Sequence, residues 1–356
     1  MVDKAPESAK PPPGLNVPPS DVTVRVSCID STTKVNLDTS SFLEPVYKGA
    51  DRIVVPAFGF LIEHPSGKKI MFDLATRKDW QNLPPIITKR LEAFGWTVDI
   101  EKNIADILTE HGVDVAGGAI SEVIWSHHHW DHTGDIGTFP SSTDLVIGPG
   151  FKDAFLPGYP EDPEGQVHSS DFRNRTVREI SISDKLKLGR FNAHDYFGDG
   201  SFYLLDTPGH AIGHMCGLAR TTKDTFVLMG GDACHHAGEF RPSPYLPLPN
   251  DTTGLAGTTR LCPGHMLLDM HRNKSATEPF YTAAPKFVYD QEKCDSTIEG
   301  IEEFDAHKEV LVLIAHDGSV LGDVDMYPKT LNDWYEKGVG KTVRWKFLSI
   351  FGAGDS

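Results

Sequence analysis

"SHHHWDHTGD", residues 126–135, sets four histidines and two aspartates within ten positions, directly behind the apolar run "SEVIW" (121–125). A solvated loop has no need for such a cluster. A run in which imidazoles alternate with carboxylates directly after a buried strand has the composition of a metal site. On an extended segment, side chains at i and i+2 project to one side. His127 and His129 therefore pair to grip one ion while His128 points elsewhere, and Asp131 and His132 offer an oxygen and a nitrogen to a second ion on the turn.

The remaining ligands are sought where other apolar runs stop. "LLDTPGH" delivers His210 after a Pro-Gly turn, "VLMGGD" ends on Asp232 and "LVLIAH" ends on His316. With His127, His129, Asp131 and His132 they make seven donors, enough for two divalent ions. Imidazole and carboxylate suit zinc, and also iron or manganese; no cysteine lies in the cluster, which disfavours a thiolate-bound structural zinc.

The strands that carry these residues follow from pattern. "VTVRVSCI" (22–29), "RIVVPAFGFLIEH" (52–64), "KKIMFDLA" (68–75), "TDLVIG" (143–148), "GSFYLLD" (200–206), "TFVLMGGD" (225–232) and "EVLVLIAHD" (309–317) are β-branched or aromatic runs bounded by turn formers. Apolar spacing in 84–96, 100–113 and 291–307 predicts amphipathic helices. One domain over 21–350 follows a proline-rich arm over 1–20, expected to be extended or mobile. The segment 238–288 is rich in proline, glycine and polar residues, and is read as an insertion or lid.

The net charge of −16 argues against nucleic acid or an anionic membrane surface as partner. No run approaches the roughly 20 apolar residues of a membrane span, and the N-terminus has no apolar signal core. Five scattered cysteines without a Cys-x-x-Cys pair point to a reduced, cytoplasmic setting. Oligomeric state leaves no mark in the sequence.

His127-x-His129-x-Asp131-His132, "TPGH" (207–210), "GGD" (230–232) and "AHD" (315–317), in this order, resemble the metallo-β-lactamase superfamily over roughly residues 50–320. The resemblance implies an α+β fold: an αββα sandwich of two mixed β-sheets flanked by helices, with a dinuclear site at one edge. It implies that His127, His129 and His210 hold one metal and Asp131, His132 and His316 the other, with Asp232 bridging and Asp73 supporting the ligand loop. "HDYFGDGSFYLLDTPGHAIGHM" (194–215) is most similar to the acyl-homoserine-lactonase branch and to fungal lactonase or lactamase relatives. Those lactonases carry a tyrosine three residues after the bridging aspartate; here His235 stands there.

The chemistry so implied is attack of a metal-bridging hydroxide on the carbonyl of a small, neutral, partly apolar lactone or lactam. Asp131 or Asp232 would shuttle the proton and His235 would polarise the carbonyl. Phe240, Tyr245, His265 and Phe280, all in the 238–288 segment, are the expected substrate contacts. His128 is read as facing away from the metals and His214 as a packing or supporting residue, while His236, beside His235, is either a catalytic helper or a solvated loop residue. A thioesterase of the glyoxalase-II type is the nearest alternative, since motifs do not read the leaving group, and a non-hydrolytic di-iron redox protein is a further one.

Overall fold

The computed structural model describes residues 9–250 and 264–351, the side chains of 264–266 excepted. Two six-stranded sheets stack face to face. The first runs in the order Arg25–Asp30, Phe58–Glu63, Lys69–Phe72, Glu122–Ile124, Asp144–Ile147, Val177–Glu179. The second runs Lys187–Leu188, Phe191–Asp195, Phe202–Asp206, Met215–Arg220, Phe226–Met229, Val310–Leu313. Both are mixed: the first becomes parallel from Lys69–Phe72 onward, and the second ends in the parallel pair Phe226–Met229 and Val310–Leu313.

Period-two alternation decides which side chains meet between the sheets. Val26, Phe60, Phe72 and Ile124 from the first sheet interlock with Phe202, Leu204, Val227 and Leu313 from the second. The opposite face of the first sheet is covered by the helix Ile104–Glu110, opened by an Asn103–Asp106 capping box and followed by Gly112 at φ +83°. The opposite face of the second is covered by the helix Gln291–Asp305, whose Cys294, Ile298, Ile301 and Phe304 form one apolar stripe. The four layers are the αββα architecture.

One difference from the sequence reading matters for the site. "RIVVPAFGFLIEH" is not one strand: it divides at Pro56 into Arg52–Val55 and Phe58–Glu63, which belong to different sheets. Proline has no N–H to give a ladder, so the strand can change sheets there. Arg52–Val55 joins Lys34–Asp38 and Thr97–Asp99 in a separate three-stranded sheet. That sheet and the helix Pro85–Ala93 share an apolar cluster with Trp130, next to the histidine motif.

The arm, expected to be extended or mobile, is extended and pinned over its described residues. Lys10 N–H donates to the Pro244 carbonyl, the Leu15 carbonyl accepts from Gly189 N–H, Arg220 donates to the Pro18 carbonyl, and Leu15 is buried. An extended chain leaves its carbonyls unused by its own N–H groups, and the second sheet supplies donors for them.

Candidate metal centre

Strand direction explains why the cluster forms. Lys69–Phe72 and Glu122–Ile124 are parallel, so Asp73 and His127 leave the first sheet at one edge. Phe202–Asp206, Phe226–Met229 and Val310–Leu313 also run alike, two antiparallel steps separating the first from the second, so His210, Asp232 and His316 leave the second sheet together. The two edges are stitched by Met215 N–H to the Ser126 carbonyl and Phe58 N–H to the Ala315 carbonyl.

His127, His129, His210 and Asp232 bring one donor atom each into one group, and Asp131, His132 and His316 into another, with the atoms of each group within 4.8 Å of one another. Asp232 also reaches the second group: its Oδ1 lies 3.0 Å from Nε2 of both His132 and His316. The strand Glu122–Ile124 stops earlier than expected, so His127 and His129 lie on a bent loop, and Asp131 and His132 on the single helical turn Trp130–Thr133. The i, i+2 pairing nevertheless aims His127 and His129 together. His128 turns away and stacks on Phe155, ring centroids 3.8 Å apart.

Three of the rings, those of His316, His132 and His127, are oriented by a hydrogen bond on Nδ1, which leaves Nε2 to the cluster. His316 Nδ1–H donates to the Pro56 carbonyl at 2.7 Å. His132 Nδ1–H donates to Asp73 Oδ2 at 2.8 Å. Ser126 Oγ–H donates to the same Oδ2 at 2.7 Å and accepts from His127 Nδ1–H at 3.0 Å. Asp73 Oδ1 takes the Ser126 N–H at 2.6 Å, and the aspartate holds this posture at φ +60°, a strained backbone for a residue with a Cβ. His214, expected as a packing or supporting residue, accepts the Asp232 N–H on Nε2 at 3.0 Å and is steered by the Thr207 carbonyl and hydroxyl through Nδ1.

The donor set fits divalent ions. Burial first, and neighbouring imidazoles second, hold His127, His129 and His210 well below the ordinary histidine pKa, so their lone pairs are unprotonated. Burial works against the charge on Asp232, yet His132, His316 and His235 hold its carboxyl well below the usual range. His127 Nε2 is fully buried without a hydrogen-bond partner, an orphan that a metal ion would satisfy.

A cavity opens onto this cluster. Asp131, Asp232, His129, His235 and His316 line its floor; Val35, Leu37, Ile53 and Val55 of the three-stranded sheet, Ile87 and Leu91 of the helix Pro85–Ala93, and the aromatic rings of Phe42, Trp96, Trp130 and Phe287 line its walls. His235 packs on Phe42, its Nε2 lies 3.4 Å from Asp232 Oδ2, and both its ring nitrogens are buried and unpartnered. Its loop is fixed by Glu239, whose Oε2 accepts the N–H groups of His235 and His236.

Three of the four expected substrate contacts lie away from this cavity. Phe240 and Phe280 lie fully buried on the outer face of the second sheet, and Tyr245 is half-buried; none of the three lines the cavity. Long aromatic side chains in this segment bury their area against the helix Gln291–Asp305 and residues 345–351 instead. Among the described residues of 238–288, Tyr281 packs there too, and Phe287 reaches the cavity. The His265 side chain lies outside the described residues. The cavity's own lining from Val35, Leu37, Ile53, Val55, Ile87, Leu91 and Trp96 was not part of the sequence reading.

Comparisons with known proteins agree with this geometry. Residues 53–274 match the model of the metallo-beta-lactamase superfamily. The chain is 45% identical to the metallo-hydrolase mfmC of Annulohypoxylon moriforme, over 99% of this chain and 93% of the relative. It is 42% identical to the gamma-lactamase FDB1 of Fusarium pseudograminearum, over 97% of this chain and 86% of the relative. A solved N-acyl homoserine lactone hydrolase, with its product N-hexanoyl-L-homoserine at the catalytic metal centre, superposes with a TM-score of 0.58 at 17% identity, covering 86% of this chain and 99% of that one. With its αββα layers and its histidine–aspartate cluster at the shared sheet edge, the chain belongs to the metallo-β-lactamase superfamily and is a hydrolase.

Proposed function

We propose that the chain binds two divalent ions, zinc by donor type, and opens a small, partly apolar lactone or lactam. One observation carries the reading: an apolar cavity ends on two adjoining groups of metal-donor atoms and on one free imidazole. The gamma-lactamase relative, matched along almost the whole chain, supports a cyclic amide or ester over an open-chain substrate.

The bound ions would supply Lewis acidity at the carbonyl and lower the pKa of water at neutral pH. The protein's own groups do the rest. His127, His129 and His210 would hold one ion and Asp131, His132 and His316 the other, with Asp232 within reach of both groups. The aromatic and aliphatic walls exclude water and orient the ring. His235, facing the cavity with both nitrogens unpartnered, donates to the substrate carbonyl, and Asp131 or Asp232 returns a proton to the departing oxygen or nitrogen. The acidic surface and the enclosed site favour a small molecule over a nucleic acid. Four free, buried thiols, Cys28, Cys216, Cys234 and Cys294, suit a cytoplasmic setting.

Metal analysis joined to a hydrolysis panel tests the reading. Protein purified without chelator should carry close to two equivalents of zinc and open a γ-lactone or γ-lactam with an apolar substituent. Turnover of thioesters alone would move the assignment to a thioesterase. A folded protein that takes up no metal would remove it.

A further inference from the structure

The cavity wall carries a cation that no group in the described chain answers. The other buried or half-buried guanidinium groups among the described residues close on carboxylates, as Arg178 on Glu122 and Arg241 on Asp305, or on backbone carbonyls, as Arg175 and Arg220 do. Arg90 makes one long hydrogen bond, Nη1 to the Gln166 side-chain oxygen at 3.4 Å, and pairs with no carboxylate among the described residues. It is half-buried.

Its place on the helix Pro85–Ala93 is informative. Arg90 lies three residues after Ile87 and one before Leu91, so it shares their inward stripe, and all three line the cavity. A cation in the last turn suits the helix dipole from any face; the solvent face would serve that purpose without the cost of desolvation. Arg90 also borders a second, more open hollow, walled by Phe155, Ile212 and Tyr289. Arg90, His129 and Phe287 line both spaces, so the guanidinium stands at their junction.

A guanidinium is a planar fork that pairs two oxygens of one anionic group, and apolar walls weaken the screening of such a pair. We infer that Arg90 is a specificity determinant that anchors an anionic oxygen group, a carboxylate in the natural substrate, on the part of the molecule away from the metal cluster. The substrate is then apolar in its body but charged at this junction, rather than neutral as its expected class implied. The inference rests on reading the cavity as the substrate's seat, not on the bond cleaved there.

Binding alone can test it, without knowledge of the reaction. Calorimetric titration of the zinc-loaded protein compares naphthalene-2-sulfonate, an apolar ring with a weakly metal-ligating anion, with its uncharged counterpart methyl 2-naphthyl sulfone. The sulfonate should bind tighter by about tenfold or more. Arg90→Met should bring it to the sulfone's level, and Arg90→Lys, which keeps the charge but not the fork, should fall between. Thermal melting of both variants separates a folding defect from a lost contact. Equal affinity for the two probes, binding of neither, or an Arg90→Met protein that holds the sulfonate as the parent does would overturn the assignment. Failure of every lactone and lactam in the hydrolysis panel would leave this result standing, so the two readings fail separately.

Discussion

His235 and His214 both reach Asp232, through different atoms and with different consequences. His235 approaches the carboxylate from the cavity and has nothing else to bond. Removing it in His235→Ala should leave the metal content intact and lower turnover by about tenfold or more, the usual scale for a positioned donor. Metal analysis and single-substrate kinetics on one preparation check both halves. His214 holds the Asp232 backbone from behind. His214→Ala strands the Asp232 N–H, so zinc retention against a competing chelator should fall by about ten- to a hundredfold. Unchanged retention would mean that the loop holds itself. The gathering of the seven donor-type residues was legible because four lie in one motif behind an apolar run and three follow the ends of other apolar runs. A supporting or packing place for His214 was legible too, but not its partner, which is a backbone N–H from another loop that no pattern of residue types records.

At the scale of elements, one wall of the cavity is the three-stranded sheet built on Lys34–Asp38. That strand left little trace in the sequence. "KVNLD" alternates over five residues only, too few for a period to stand out, and its partners Arg52–Val55 and Thr97–Asp99 are distant in the chain. The long strands of the two main sheets were legible for the opposite reason: buried runs of β-branched and aromatic residues advertise themselves. Segment 238–288 misled because aromatic residues near a metal loop suggest a pocket, while the fold spends them on the core. If Leu37 is a wall residue, Leu37→Ala should raise KM for an apolar lactone several-fold with kcat and zinc content nearly unchanged, the signature of lost uniform binding. A fall in kcat alone would place Leu37 elsewhere in the reaction.

The whole molecule keeps several carboxyl groups out of water. Glu302, on the helix Gln291–Asp305, is 8% exposed; burial, helped by Glu299 and opposed by Arg190, lifts its pKa from 4.5 to about 8. The folded chain therefore keeps a proton that the unfolded chain releases above pH 4.5, and stability is lost as pH rises from there through about 8. Glu302→Gln removes that slope. Parent and variant should melt alike near about pH 5, and the variant should melt higher near about pH 8.5; parallel melting curves at both pH values would show that Glu302 ionises freely. Pro56 connects the scales. Its ring ends the wall strand one residue after Val55, and its carbonyl aims His316. Wall and ligand thus share one fulcrum: a guest too wide for the cavity would push Val55 outward and tilt His316 with it, so misfit would register as slow turnover even for a molecule that binds well.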